Sequence, residues 1–335
     1  MASGSTIAVY SAIIGNSLVM VSKFVAFFVS GSSAMLSSGI HSFADLSNQS
    51  LLALGIAKST KKPTKEHPYG FARESFIWAL ISAMGIFFVG CGVTIYHGVH
   101  IILDPKPIHN YTLSFIVLAL AFIIESMVLT IALKHSFKEA KKRKQKLLTY
   151  FFRNSDPMTI AVVLEDSAAI IGIIIAALGI SLSYYTNNFI WDGIATLVIG
   201  FLLAAVAITL IIKIKGLLLG KAVYQEDYQI ISDLFAKNKI INHVHDVKSM
   251  IMGTDIIRFK AEIDFNGKEL TKTLLNDDNN LEADFNKIKN KADFRKYLID
   301  FGDLVVDKVG KEVNKIENQI QESNPDIKYI DLETH

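Results

Sequence analysis

Residues 189–217 read FIWDGIATLVIGFLLAAVAITLIIKIKGL. Between Asp192 and Lys213 this stretch carries no charged side chain. Roughly 20 helical residues cross a bilayer core about 30 Å thick, so the stretch predicts a membrane-spanning helix. Shortly after it, near Gly220, the long apolar runs of the chain stop.

Five stretches earlier in the chain have the same apolar character. The chain of 335 residues has 51% hydrophobic side chains and a mean hydropathy of +0.35, which is too apolar for an ordinary soluble protein. We therefore expect an α-helical membrane bundle, a six-span transmembrane domain over residues 1–220. The five earlier spans are 6–29, 33–57, 74–103, 111–136 and 157–183.

The chain after residue 220 has a different pattern. From Ile257 to Phe265 apolar and charged residues alternate, which predicts a half-buried strand. Residues 221–335 therefore predict a cytoplasmic α+β domain. Its other predicted elements are a helix over 226–237, a strand over 244–252, a turn at 253–255, a helical insertion over 280–323 and a closing strand over 327–332.

Basic residues collect in two of the loops and predict the orientation in the membrane. The loop after the second span and the loop after the fourth are rich in Lys and Arg, whereas the opposite loops contribute only Lys106. Cytoplasmic loops carry this excess, so both termini and the tail domain are expected on the cytoplasmic side. The basic residues are Lys58, Lys61, Lys62, Lys65, Arg73, Lys134, Lys138, Lys141, Lys142, Arg143, Lys144, Lys146 and Arg153.

The charges and the cysteine content of the chain also limit which partners and metal ligands are expected. Residues 1–220 carry 17 basic and 10 acidic side chains, and residues 221–335 carry 17 and 22. The basic run at 141–146 is expected to touch anionic membrane lipid, and nucleic acid is not an expected partner.

With Cys91 as the only cysteine, neither a disulfide framework nor a cysteine-rich zinc site forms within one chain, so metal ligands must be His, Asp, Glu or Asn.

Ionisable side chains inside the second span predict a metal site. His41 and Asp45 are four residues apart and Asn48 follows three later, so all three project from one helix face. An imidazole and a carboxylate one turn apart can reach a single divalent ion, which offsets their desolvation. The alternative is a hydrogen-bonded His–Asp pair that only joins helices.

Acidic residues on other spans are the expected partners of this face. Asp166 is the natural cross-helix ligand, and its neighbour Glu165 points about 100° away around the helix. Glu165 is expected to bind metal, relay protons or pair with Lys23. Glu125, in the middle of the fourth span, is a ligand, a proton relay or a neutral carboxyl. Lys23 itself is expected to play a structural role near the end of its span.

Two segments resemble the cation diffusion facilitator family of metal/proton antiporters, and within it the zinc-transporter-nine subgroup. The segment HSFADLSNQ at 41–49 resembles the family's HxxxD helix, and HPYGFARE at 67–74 resembles its HPYG signature. The subgroup is suggested by LED at 164–166, HDVK at 245–248 and RFKAE at 258–262.

The resemblance implies a fold and a site. It implies a Y-shaped homodimer with six spans per protomer, a ferredoxin-like cytoplasmic domain, and transported metal held between the second and fifth spans. The carried-over ligands are His41, Asp45 and Asp166, whereas the family's fourth ligand, a histidine, is replaced by Val162. Glu165, Asn48 or water would complete the set, and more oxygen ligands shift the preference from zinc toward manganese.

These observations predict a divalent metal cation transporter that works by alternating access, with Zn²⁺ as the expected cargo and protons as the counter-ion. The alternatives are a carrier preferring Mn²⁺ or another divalent ion, and a non-transporting membrane sensor or scaffold. No HExxH pair or phosphate-binding glycine loop occurs, so an enzyme is not expected.

Two further expectations concern the tail and the membrane. His243, His245 and Asp246 are close together in sequence and suggest a regulatory metal site in the tail domain. A bacterial inner membrane is expected because no targeting segment precedes the first apolar run, with an organelle membrane as the alternative.

Overall fold

The computed structural model of the protein describes residues 4–30, 33–105, 111–142, 146–147, 150, 157–277 and 286–335. Within the helices, some side chains lie outside this description, namely those of residues 4, 5, 26, 27, 29, 30, 33–41, 142, 157, 226 and 277. The chain forms two compact units, Met1–Leu219 and Gly220–His335.

The described part of the first unit is helical. Helix α3 continues into a π-helical segment at Ile86–Cys91 and then into α4, so these three pieces form one continuous rod. The helices are α1 (Gly4–Ser30), α2 (Ser33–Ser59), α3 (Glu74–Gly85), α4 (Gly92–Leu103), α5 (Tyr111–Lys142), α6 (Pro157–Thr186) and α7 (Ile190–Leu218).

Five of these rods are long and apolar enough to cross a membrane. They are Thr6–Val25, Glu74–Leu103, Tyr111–Lys141, Met158–Thr186 and Ile190–Leu218. Their exposed side chains are largely apolar, for example Leu18, Phe88 and Phe201, as expected of helices that face lipid. The α-helical membrane bundle predicted from the sequence is therefore confirmed.

The second predicted span, α2, is less apolar than the other five. It forms a helix of 27 residues, long enough to cross the bilayer, but over its described residues it falls short of the apolar character of a span. The physical reason is its polar content: Asp45, Asn48 and Gln49 occupy its middle. A helix with these residues is tolerated in a bilayer only when they face other helices, and Asn48 and Gln49 are indeed buried.

Glycines bring α4 and α7 into close contact. A Cβ added at Gly200 would lie 2.6 Å from Ile95 Cγ1, and one added at Gly193 would lie 2.6 Å from Ile102 Cγ1. Small residues at a helix interface allow such approach, and packing of this kind holds helices together where lipid removes the hydrophobic driving force.

The second unit contains both helices and strands. Its described residues form three helices and three strands, in agreement with the predicted α+β domain. They are α8 (Gln225–Lys237), β1 (Ile241–Gly253), β2 (Ile256–Phe265), α9 (Gly267–Asp277), α10 (Lys291–Ser323) and β3 (Ile327–Thr334).

The three strands form one sheet in the order β1-β2-β3, with β1 antiparallel to β2 and β3 parallel to β2. The β1–β2 turn places Asp255 at φ 56°, a left-handed conformation that aspartate tolerates. Apolar side chains of β2, among them Phe259, Ala261 and Ile263, are fully buried against Ile316 and Ile320 of α10. The alternating pattern in β2 thus correctly predicted its buried face.

One helix prediction in this unit needs correction, and one helix was not predicted. The helical insertion was predicted over 280–323, but the described helix α10 begins at Lys291, where the side chain of Asn290 accepts hydrogen bonds from the backbone N–H groups of Ala292 and Asp293. Residues 280–285 lie outside the described residues. The short helix α9 was not predicted, since a single amphipathic helix of 11 residues gives a weak periodic signal.

Candidate functional site

The polar centre of the bundle is built from α2 and α6. Asp45, Asn48 and Gln49 come from α2, and Glu165 and Asp166 come from α6. Glu165 and Asp166 are 8% and 1% exposed, so both carboxyls lie inside the protein rather than against lipid. Buried carboxyls on a spanning helix are expensive and point to a functional site.

Glu165 is held by two amides of α2. The Asn48 side-chain amide donates to Glu165 Oε1 at 3.0 Å, and the Gln49 amide donates to Glu165 Oε2. The Ser82 hydroxyl of α3 in turn donates to the amide oxygen of Asn48. Both oxygens of Glu165 and the oxygen of Asn48 are thus engaged within the protein. We refer to Ser82, Asn48, Gln49 and Glu165 as the amide clamp.

Asp166 points away from this clamp, as the rotation between neighbouring helical residues requires. Within the described residues its Oδ2 atom is buried and makes no hydrogen bond. The charges of Glu125 on α5 and of Asp45 on α2 act on Asp166. A buried carboxylate oxygen without a donor costs free energy unless a cation or a proton completes it.

Glu125 belongs to the same electrostatic neighbourhood. It is 7% exposed, and the charges of Asp45 and Lys23 act on it. Three helices therefore contribute carboxyls to one region: Asp45 from α2, Glu125 from α5 and Asp166 from α6. The sequence indicated Glu125 only through its position in the middle of a span.

The described residues bring no three His, Cys, Asp or Glu side chains close enough together to hold a metal ion. The side chain of His41, the first predicted ligand, lies outside the described residues. Val162, at the position of the family's fourth ligand, is completely buried and apolar.

Lys23, for which the sequence suggested a structural role near a span end, contacts the neighbouring helix. Its ammonium donates a hydrogen bond of 2.7 Å to the hydroxyl of Ser42 on α2. Ser42 is 2% exposed and follows directly after His41. Sequence reasoning missed Ser42, Ser82 and Gln49 because uncharged polar residues in a span give no strong signal on their own.

The HPYG segment forms a turn that begins α3. His67 and Thr64 exchange hydrogen bonds, the backbone N–H of Gly70 donates to the His67 carbonyl at 2.9 Å, and Gly70 adopts φ 76°, which favours glycine. Glu74, which opens α3, accepts a hydrogen bond of 2.7 Å from Trp78 Nε1. The segment thus has a clear local structural role at the entry to α3.

The predicted trio in the tail domain is not assembled as proposed. Asp246 pairs with Lys248 at 2.6 Å, and the rings of His243 and His245 are 6.1 Å apart. His245 lies instead beside His335, with ring centroids 4.5 Å apart, and His335 Nδ1 is 3.3 Å from Glu262 Oε2.

Comparisons with known proteins agree with this architecture. Residues 9–219 match the family model of the cation efflux transmembrane domain. The chain is 35% identical over 320 residues to the human mitochondrial proton-coupled zinc antiporter SLC30A9, covering 95% of this chain and 56% of that protein. It is 35% identical over 333 residues to metal tolerance protein C4 of Arabidopsis thaliana, covering 98% and 73%.

A more distant relative is the uncharacterized transporter MJ0449 of Methanocaldococcus jannaschii, 24% identical over 247 residues, covering 73% of this chain and 80% of that protein. The chain spans only 56% of the length of the human antiporter. None of these similarities supports the bacterial inner membrane expected from the sequence, because the relatives with the higher identity are a mitochondrial and a plant protein.

Proposed function

The chain belongs to the cation efflux family, which is the cation diffusion facilitator family that its motifs resemble, and from this membership we propose that it carries a divalent metal cation across a membrane. The observation that carries the proposal is the buried Oδ2 atom of Asp166, which accepts no hydrogen bond from the part of the chain that the structure describes. A dication or a proton is the natural partner for such an oxygen in a span. Relatives in this family are named as transporters, in agreement with the prediction that the chain is not an enzyme.

The proposed metal ligands are His41, Asp45 and Asp166, from α2 and α6. Asp45 and Asp166 lie on different helices and interact electrostatically, so a cation between them would relieve their repulsion. Glu165 and Asn48, which the sequence also suggested as ligands, are better assigned as supports. Their oxygens already accept hydrogen bonds within the amide clamp, which holds α6 against α2.

Zinc is the proposed cargo, with protons moving in the opposite direction. The human relative is named a proton-coupled zinc antiporter. Carboxylates and imidazole bind metal only in their deprotonated forms, so a metal ion and protons compete for the same atoms. Protons arriving from one side would expel the ion, and alternating exposure of the site would turn this competition into transport.

The ligand set also favours a wider choice of ion than zinc alone. With Val162 in place of the family's histidine, oxygen ligands predominate, and such sites accept manganese and other harder ions.

We also propose that the protein forms a homodimer and contacts membrane lipid. The membrane we propose is that of an organelle, on the strength of the mitochondrial relative.

Reconstituted flux measurements test the proposal. Purified protein in liposomes is given zinc, manganese, cobalt or iron in parallel, with and without an imposed pH gradient. We expect zinc uptake that rises when protons are supplied on the opposite side and that is lost in Asp45→Asn. Absence of uptake of every ion by the wild-type protein would contradict the proposal and favour a sensor or scaffold.

A further inference from the structure

Lys23 is a half-buried charged side chain of the bundle that the proposed carrier mechanism does not use. It lies on α1, seven residues before the helix ends at Ser30. Its Nζ atom is 2.7 Å from the hydroxyl oxygen of Ser42, a side chain that is 2% exposed. The ammonium is therefore drawn inward, whereas a lysine in a span normally extends toward the membrane surface.

The position of Ser42 fixes where this ammonium lies. Ser42 and Asp45 are three residues apart on α2 and so project from neighbouring positions on one helix face. The charges of Asp45 and Glu125 both act on Lys23. These carboxyls also act on Asp166, whose Oδ2 atom accepts no hydrogen bond from the described residues.

A buried ammonium is tolerated only when anionic groups compensate its desolvation. Here the compensating groups are Asp45, a proposed metal ligand, and Glu125 beside it. A divalent ion entering this region would need the same carboxylates. The ammonium and the cargo are thus cations that share one set of anions.

We propose that Lys23 is a resident counter-cation of the transport site, whose ammonium offsets the carboxylates of Asp45 and Glu125 and lowers the affinity for the divalent cargo. This inference rests on the proposed function and adds to it a residue that sets the affinity. Lys23 does not ligate the ion and acts through the two carboxylates.

The proposal gives the lysine a use in transport. A carrier must release its ion, and three carboxylates around a dication in a medium of low dielectric would hold it tightly. A tethered positive charge weakens that hold and cannot diffuse away. It also partly neutralises the carboxylates when no ion is bound, which makes the empty carrier less costly to keep in the membrane.

The direct test is equilibrium zinc binding to purified full-length protein in detergent at mildly alkaline pH, where proton competition is small. Lys23→Met removes the charge and the hydrogen bond, Lys23→Gln removes the charge but keeps a donor for Ser42, and Lys23→Arg keeps the charge. Ser42→Ala removes only the hydrogen bond acceptor. Flux in liposomes, measured as KM and kcat, accompanies each binding measurement.

We expect Lys23→Met and Lys23→Gln to bind zinc about tenfold tighter or more than the wild-type protein. Both should show a lower KM together with a lower kcat, since slower release limits turnover. Lys23→Arg and Ser42→Ala should bind zinc within about threefold of the wild-type affinity, because the positive charge remains. A lysine that merely joins α1 to α2 would not produce tighter binding when it is removed.

The outcome that overturns the inference is unchanged or weaker zinc binding in whichever of Lys23→Met and Lys23→Gln folds. A second criterion uses Glu125→Gln as the background, in which removal of Lys23 should have a smaller effect on affinity than in the wild-type background. Equal effects in both backgrounds would contradict action through Glu125. If instead the wild-type protein neither binds nor carries metal, the proposed function fails, so the two failures are distinguishable.

Discussion

The side-chain amide of Asn48 on α2 donates a hydrogen bond of 3.0 Å to the carboxylate of Glu165 on α6. This contact joins the two helices that carry Asp45 and Asp166. Two neighbouring carboxyls therefore differ in their hydrogen bonding. Each oxygen of Glu165 accepts a hydrogen bond from α2, whereas Asp166 keeps a buried oxygen with no donor among the described residues.

Glu165→Gln is expected to destabilise the protein without removing metal binding. A glutamine oxygen accepts only one of the two amide donors, and its own NH₂ group then faces the other donor. Loss of one such buried bond costs about 1–3 kcal/mol. Thermal unfolding in detergent, followed by circular dichroism, should show a lower midpoint, while zinc binding keeps the wild-type stoichiometry.

The matched control for that change is Glu66→Gln, the same substitution at an exposed loop position. It should leave the midpoint unchanged, because surface substitutions away from structured contacts have small effects. If Glu165→Gln kept full stability but lost zinc binding, Glu165 would be a ligand and the amide clamp would not be its role.

Asp166→Asn is expected to leave stability unchanged or to raise it. The wild-type side chain is 1% exposed and has an oxygen without a hydrogen bond, so a neutral amide of similar shape removes a buried charge that nothing in the described protein compensates. Sites that bind ligands often lower stability in this way. The same thermal unfolding measurement applies, and a large loss of stability would show that Asp166 is a structural residue.

Zinc affinity is expected to fall as the pH is lowered. Asp45, Asp166 and His41 bind metal only when deprotonated, so protons compete with zinc and the sign of the effect is fixed. Titrations of the purified protein with zinc at a series of pH values measure it. An affinity that stays constant from mildly alkaline to mildly acidic pH would exclude proton exchange at the ligands.

Val162→His is expected to shift the preference from manganese toward zinc. The resemblance to the family places a histidine ligand at this position, and imidazole favours zinc over harder ions. Because Val162 is completely buried, the larger polar side chain will also lower the stability. Competitive flux of the two ions, with Val162→Leu as the apolar control, tests the shift. An unchanged zinc-to-manganese ratio would place the site away from Val162.

Phe259→Ala is expected to destabilise the tail unit by about 3–5 kcal/mol, because a large side chain that is fully buried in the sheet–helix core is lost. Hydrogen exchange of β1 and β2 in the full-length protein should increase. Phe294→Ala is the control, since Phe294 on α10 is 49% exposed. Equal effects of the two substitutions would contradict the assignment of this core.

How far the sequence predicted the fold depended on the strength of the periodic signal. The apolar runs gave the helices of the bundle to within a few residues, and the alternation in β2 identified both the strand and its buried face. Helix α2 was among the harder spans to identify by hydropathy, because Asp45, Asn48 and Gln49 make its middle polar.

The site was only partly predictable for a different reason. Sequence spacing places Asp45 and Asn48 on one face, but it does not show which helix lies opposite each side chain. The structure assigns Asn48 to Glu165, and it turns Lys23 inward to Ser42, where the sequence suggested a structural role near the end of its span. Such partners follow from helix packing, which a single sequence does not reveal.

Some predictions concern parts of the chain outside the described residues. These include the side chain of His41, the loop residue Lys106, and Arg143, Lys144 and Arg153 of the basic loop. They stay predictions. Fluorescence labelling of single cysteines introduced in these loops, applied from each side of the membrane, would test the orientation that they predict.

Zinc flux through Asp166→Asn in liposomes tests the central claim most directly. We predict that this protein, folded and inserted as well as the wild type, carries zinc at no more than the rate of empty liposomes, whereas Asp300→Asn in the tail carries it at the wild-type rate. Zinc transport by Asp166→Asn at the wild-type rate would contradict the claim that the ion crosses the membrane bound to this buried carboxylate.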